Sequence, residues 1–267
     1  MSDQQRSAEV HGRVQSQFGA AAAAYTTSAG HADAAMLRRV VELAAPQPGD
    51  LALDIATGAG HTALALAPHV SSIVAYDITP QMLEETARNA AARSLGNLST
   101  RQGAAENLPF PAASFDIVTV RQAPHHFADV RRAVCEMARV ARPGGRVIVV
   151  DSRAPDDDEL DRQFNHIEKL RDPSHVRNYR PHEWREFIAA AGLTLIAEEL
   201  DFYTEHGRGM DFDAWTRRMK TPPAQVAELA RLFRGASPAL VDALRIELDG
   251  DRIAFCVPQI TLAAVKQ

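Results

Sequence analysis

The chain is 267 residues long, 46% apolar and 24% charged, with a formal net charge of −5. That balance excludes a general binder of nucleic acid or of anionic membrane, since both need a basic surface, and no apolar run reaches the length of a membrane span. The opening Met1-Ser-Asp-Gln-Gln-Arg6 is polar with no secretory core, and the two cysteines, Cys135 and Cys256, fall in a helical and a strand-like pattern; two buried thiols in a reducing cytoplasm are expected, with no metal role.

Residues 1–35 are polar, then alanine-rich, with Phe18, Tyr25, Ser28 and His31 near helical spacing. They read either as a helix packed on the domain surface or as a lid over a bound ligand. From Met36 to Ala45 the apolar residues recur with a helical period, and Pro46-Gln-Pro-Gly49 ends that helix. Leu51–Ile55 is an apolar strand carrying Asp54 near its end. Ala56-Thr-Gly-Ala-Gly60 then makes a tight turn into the helix-forming Thr62–Ala67. Glycines there permit backbone conformations closed to other residues and let a ligand come close. The helix N-terminus behind the turn offers free N–H groups.

Ser72–Asp77 reads as the second parallel strand, with Thr79 and Pro80 opening a helix as N-cap and first position. Leu98–Arg101 is a third strand, residues 103–111 a loop, and Ser114–Val120 the fourth strand, followed by Arg121-Gln-Ala-Pro-His-His-Phe127. A helix over Val130–Ala141 leads through Arg142-Pro-Gly-Gly-Arg146 to a fifth strand at Val147–Asp151. Strands alternating with helices predict a doubly wound parallel sheet. After Asp151 come an acidic loop (155–159), a helical then polar stretch over Leu160–Arg180, a helix over Pro181–Ala191 and a strand over Leu193–Tyr203. Gly207–Leu248 holds helical pieces around a Pro222-Pro223 break, and Arg252–Val265 reads as one last strand.

Two nucleotide readings compete for the glycine turn. Gly58-Ala-Gly60-His-Thr-Ala63 fits the dinucleotide pattern, with Asp77 where a ribose-binding acid belongs. The other reading is the S-adenosylmethionine (SAM) loop of class I methyltransferases. The later motifs separate them. Asp54-Ile-Ala-Thr-Gly-Ala-Gly60, Asp77, Gly103–Pro111, Ser114-Phe-Asp116, His125-His-Phe127 and Arg142-Pro-Gly-Gly145 resemble the ubiquinone/menaquinone-biosynthesis type of class I SAM-dependent methyltransferases. His166 and Arg171–Arg177 resemble a less characterised bacterial subgroup of these enzymes.

That resemblance implies an α/β fold: a doubly wound, mostly parallel seven-stranded Rossmann-like sheet with a helical cap. It implies a lid at 1–35 and a methyltransferase domain over 36–267, with cap insertions at about 155–180 and 205–248. Gly58 and Gly60 would cradle the methionine part of SAM with Ala56 and Thr57 beside them, and Asp54 would lie near its ammonium. Asp77 and Ile78 would meet the ribose, Met82 the adenine, and Ala105 and Glu106 the adenine edge. Arg121 would stand near the sulfonium and Tyr25 in the lid. Ala56 departs from the usual first glycine, and Ala104 stands where many relatives place an Asp that bonds the adenine amine. The implied activity is methyl transfer from SAM to a small-molecule acceptor, without nucleic-acid or membrane partners; the rival classes are a dinucleotide-dependent oxidoreductase and a SAM-binding protein without turnover. The sulfonium already activates the methyl group, so the protein mostly aligns a nucleophile and, for an acidic acceptor, supplies a base. His125 and His126 are the nearest candidates, His166 and His175 the next. No His spacing suits a metal site.

Overall fold

The computed structural model describes residues 2–20, 22, 33–201 and 209–267. Tyr25, Ser28, His31 and Tyr203 lie outside the described residues. The first helix, α1 (Asp3–Gly19), is set by a capping box in which Ser2 and Gln5 satisfy each other's backbone N–H groups. Next, α2 (Ala34–Ala44) starts on Asp33, whose carboxylate accepts from Met36 N at 2.9 Å, and stops at Ala45 in the left-handed region.

The central sheet is built from β1 (Leu51–Ile55), β2 (Ser72–Asp77), β3 (Leu98–Gln102), β4 (Phe115–Arg121), β5 (Ala141–Ser152), β6 (Leu193–Leu200) and β10 (Gln259–Lys266). Its order is β3-β2-β1-β4-β5-β10-β6, seven strands in all, the first five parallel and β10 antiparallel to both of its neighbours. This is the expected doubly wound, mostly parallel sheet. Helices α3 (His61–Leu66), α4 (Pro80–Ala92), α5 (Val130–Val140) and α7 (Pro181–Ala190) supply the crossovers. Alternation along each strand sends Leu53, Ile55, Val118 and Val149 to one face, packed on Val134, Met137, Trp184 and Phe187. Ala52, Ile117, Ile148 and Val150 go to the other face, packed on Met36, Val40, Ala63 and Leu66. All of these side chains are fully or nearly fully buried.

A third cluster stands apart from the sheet. Here α6 (Asp158–Arg171), α8 (Phe212–Arg218), α9 (Pro223–Arg234) and α10 (Pro238–Leu244) bury Phe164, Ile167, Trp215, Leu229, Phe233 and Phe255 together. The ring of Phe255 lies 4.9 Å from Trp215 and 4.7 Å from Phe233. Beside them β7 (Met210–Asp211), β9 (Arg252–Phe255) and β8 (Glu247–Asp249) form a small antiparallel sheet. Among the described residues, no helix is long and apolar enough to cross a membrane.

Four expectations need correction. Residues 252–265 are not one strand: β9 belongs to the small sheet and β10 to the large one, with Pro258 between them. Strand β5 begins at Ala141, because Phe115 pairs with Ala141 and Ile117 with Arg146, so residues 142–145 bulge out of the ladder. A Cβ at Gly145 would sit 2.8 Å from Arg142 O, so only glycine fits the bulge. Thr79 takes the N-cap place of α4 without a side-chain cap; its N–H donates instead to Asp77 Oδ1 at 2.8 Å. Cys135 is exposed on the outer face of α5, and Cys256 is half-buried.

Candidate functional site

Parallel strands end together at one sheet edge, and a ligand crevice opens where their order reverses. Here that edge is formed by β1, β2 and β4. Asp54, next to last in β1, is paired in register with Thr119 of β4. Its buried carboxylate accepts from Thr119 Oγ1 at 2.7 Å and from Thr57 Oγ1 at 2.6 Å. Burial pushes its pKa up to about 6, against the opposing pull of those hydroxyls and of Arg121. The carboxylate therefore ties the turn to β4.

The turn that follows is left-handed at three positions: Ala56 (φ +50°), Gly58 (φ +56°) and Gly60 (φ +87°). Ala56, where glycine is usual, takes the strained conformation all the same. Gly58 donates its N–H to Asp77 Oδ2 at 2.9 Å, and a Cβ there would meet nothing within 4 Å. At Gly60 a Cβ would lie 2.7 Å from Thr86 Cγ2. Gly58 thus presents bare backbone to open space, whereas Gly60 is required by packing against α4.

Asp77 ends β2 with both oxygens held by backbone N–H groups, of Gly58 and Thr79. Burial raises its pKa, and those donors oppose the rise. The Thr79 hydroxyl and the Ile78 N–H oppose the rise as well, and the two oxygens offer about four lone pairs in all. Glu106 accepts from Ala128 N at 2.8 Å and lies 3.2 Å from His11 Nε2 of α1. Burial would raise its pKa, yet the His11 bond and the backbone donors hold it lowered. Its carboxylate fastens α1 to the segment before α5. Gln15 Nε2 adds a second fastening, donating to Ile78 O at 2.9 Å.

Together these residues enclose a cleft of about 920 Å³, counted out to the solvent at its mouth. Asp54, Ala56, Thr57, Gly58, Asp77, Ile78, Met82, Ala105, Glu106 and Arg121 line it, as does His126. Gly60 does not. Arg121 donates Nε to Thr62 Oγ1 at 3.0 Å. His11, Val14 and Phe18 of α1 roof the cleft, and His61 at the start of α3 also faces it.

The four candidate histidines divide. His125 and His126 occupy the short helical turn after β4, with ring centroids 4.1 Å apart. His126 meets the edge of Phe18 at 4.9 Å, and its Nδ1 lies 3.3 Å from Ser174 Oγ. Burial, reinforced by the neighbouring His125, presses its pKa down to about 3. His125 Nδ1 is 2.6 Å from Asp151 Oδ1; burial pulls its pKa down, but the charge and hydrogen bond of Asp151 more than offset that and raise it. His175 is buried with Nε2 3.1 Å from Asn165 Oδ1, and burial lowers its pKa. His166 is exposed on α6 and takes no part in the grouping. Among the described residues, no three His, Cys, Asp or Glu side chains are placed to hold a metal ion.

The model of a methyltransferase domain matches residues 53–149, from β1 to β5. The uncharacterised methyltransferase YcgJ of Bacillus subtilis is 39% identical over 217 residues, 80% of this chain and 84% of that protein. The chain belongs to the methyltransferase-domain family. The solved structure of YcgJ superimposes with a TM-score of 0.80 at 37% identity, covering 86% of this chain and 97% of that one. The uncharacterised protein YafE of Escherichia coli is 39% identical over 72% of this chain and 90% of its own length. The likeness to menaquinone-type members is narrower: a demethylmenaquinone methyltransferase of Thermus thermophilus matches at 38% over 46% of this chain and 57% of that protein. Phe18 stands where the lid reading of residues 1–35 put it, over the cleft, whereas His11, His61, Asp151 and Gly103 were not singled out from the sequence. Of these Gly103 had a signal, since it opens the 103–111 loop; a Cβ there would run into the Tyr76 hydroxyl.

Proposed function

We propose that the protein is a SAM-dependent methyltransferase acting on a small molecule. The observation that carries this reading is the meeting of Asp77 and the open face of Gly58 in one cleft, joined by a 2.9 Å hydrogen bond. The cleft is concave and lined by apolar side chains with a few convergent polar groups, as small-ligand sites are. SAM fits it chemically. Asp77 can accept from a ribose diol, Ile78, Met82 and Ala105 offer an apolar seat for the purine, and the backbone around Gly58 admits the methionine portion. When bound, SAM supplies an electrophilic methyl group on sulfur.

The chain's own residues then orient and enclose. Asp54 holds the turn through Thr57 and Thr119. Helix α1 covers the cleft with Val14 and Phe18 and keeps water out. We assign the N-terminal segment the role of a lid fastened by His11 and Gln15. The acceptor would enter beside His126, between the turn after β4 and residues 172–178, which donate Val176 N and Arg177 N to His125 O at 2.8 and 3.1 Å. Those bonds bring the cap, which lies outside the matched domain, up against the turn that carries His126, so the cap is where acceptor choice would be made.

Calorimetry with SAM, S-adenosylhomocysteine, NAD and NADP tests the reading. Binding of the first two and not the others is expected; preference for NAD or NADP would refute it. Label from methyl-labelled SAM should appear in a small molecule of a cell extract, and binding without any such transfer would leave only a SAM-binding protein.

A further inference from the structure

The side chain of Asp151, near the end of β5, is fully buried, yet the proposed binding of SAM makes no use of it. Its Oδ1 lies 2.6 Å from His125 Nδ1, and among the described residues its Oδ2 has no hydrogen-bond partner. The carboxylate is therefore committed to His125. The histidine is held from other sides as well. Its carbonyl is gripped by residues 176 and 177, its ring lies 4.1 Å from that of His126 and 5.6 Å from that of His175, and Ser152 Oγ stands 3.4 Å from the same Nδ1. With Nδ1 turned to the carboxylate, Nε2 is the nitrogen left to act. The side chain retains 16% exposure; it does not itself line the cleft but stands next to His126, which does.

We propose that Asp151 is a positioning residue that fixes His125 as the acceptor's base. The acceptor is then a molecule that gives up a proton as it is methylated, such as an alcohol, a phenol or an enolisable carbon acid, as opposed to a thioether or tertiary amine. This rests on the SAM reading. The acceptor proton passes to His125 Nε2, and the electron pair it leaves forms the bond to the methyl carbon. The pair of the breaking S–CH₃ bond stays on sulfur, giving neutral S-adenosylhomocysteine, and the imidazolium later releases its proton to solvent. His126 suits this role less, since its Nδ1 faces Ser174 Oγ and its Nε2 lies 3.8 Å from Asp172 Oδ2.

The surroundings favour a proton on His125. Burial opposes it, but Asp151 from β5, Glu168 from α6 and Asp172 from the following segment all draw its pKa upward. His126 and His175 face it as neutral rings, their own pKa values lowered by burial, and Arg171, which α6 carries, is paired with Glu168 at 2.7 Å.

The test uses full-length protein and methyl-labelled SAM with a small-molecule cell extract. Because the base must be deprotonated to act, transfer should rise with pH through an apparent pKa above that of ordinary imidazole. Asp151→Asn should move that limb to lower pH and cut the plateau about 100-fold, with S-adenosylhomocysteine affinity held within about threefold; Asp151→Glu should recover part of the rate. An Asp151→Asn plateau and limb equal to wild type would overturn the proposal. Imidazole NMR on the protein alone is the second measurement. His125 should keep its Nδ1 proton throughout and titrate at lower pH in Asp151→Asn; a neutral ring protonated on Nε2 instead would also overturn it. Failure to bind S-adenosylhomocysteine removes the SAM reading itself, and binding with no label transferred by wild type removes methyl transfer, so neither is confused with a failure of the dyad.

Discussion

Gly60→Ala separates the glycine that serves the fold from the one that serves the ligand. Gly60 has φ +87°, so alanine there bears a left-handed penalty of about 1–2 kcal/mol. Its new Cβ would also lie 2.7 Å from Thr86 Cγ2 and 2.9 Å from Thr86 Oγ1. Thr86 is fully buried, and its hydroxyl is spent on Gly58 O at 2.7 Å, so it cannot swing aside without breaking that bond. Overpacking of this kind costs about 1–3 kcal/mol, for a total of about 2–5 kcal/mol. Gly58→Ala bears the left-handed penalty alone, since its Cβ meets nothing within 4 Å. Urea unfolding of both variants should therefore show Gly60→Ala to be the worse by at least about 1 kcal/mol. In a Thr86→Ala background the same substitution should cost only the backbone penalty, a coupling of about 1 kcal/mol or more. Equal costs at the two glycines, or a Gly60→Ala cost untouched by truncating Thr86, would refute the assignment. The ligand readout should run the other way, with Gly58→Val folding normally by circular dichroism while binding SAM at least ten times more weakly.

Asp77→Ala should weaken SAM by about 1.5–3 kcal/mol in calorimetry, the value of hydrogen bonds to a charged group; unchanged affinity in a folded variant would remove it from the ribose site. The pKa of Asp54 rises from 3.8 to about 6, so its contribution to stability is complete below pH 4 and is lost as pH climbs past 6. Across that window wild type should lose up to about 3 kcal/mol relative to Asp54→Asn, and parallel stability–pH curves for the two would contradict it. His11→Ala should cost about 1.5–3 kcal/mol, since it removes a hydrogen bond to a largely buried carboxylate, and speed hydrogen exchange across residues 3–19. S-adenosylhomocysteine should slow exchange at residues 10–20, and a helix already fully protected without ligand would argue against a lid.

The sheet was readable because its strands are apolar runs punctuated by Gly, Pro and Asp, and the turn after β1 because its glycines sit between a strand and a helix. Where the reading failed, the cause is physical. The break inside residues 252–265 rests on Pro258, which cannot donate in a central strand; the β-branched residues on either side mask it. The outward place of His166 was available from helical spacing, since Leu160, Phe164, Ile167 and Arg171 form the inward stripe of α6 and leave it off that face. No spacing could have joined His125 to Asp151, 26 residues apart, or His11 to Glu106, 95 apart. The first pair is made by the adjacency of β4 and β5, and the second by a helix folding back over the sheet edge. Neighbouring titratable groups decide which histidine holds a proton, and those neighbours come from β5, α6 and residues 172–178 together.

The position of β10 between β5 and β6 sets the order in which the sheet can be completed during synthesis. Among the described residues β6 has no hydrogen-bonded neighbour in the sheet other than β10, and β10 (Gln259–Lys266) follows it in the chain only after the cap helices. Until those residues have left the ribosome, the growing polypeptide carries two open strand edges, at β5 and at β6, each ready to pair with another nascent chain. The intervening helices of the cap, with their own buried aromatic cluster, can assemble during that interval. The eight residues of β10 then insert as a single closing step, with Ile260, Leu262, Ala263 and Ala264 all buried on arrival. Loss of β10 would therefore open two strand edges at once, those of β5 and β6, where loss of β6 would open only one.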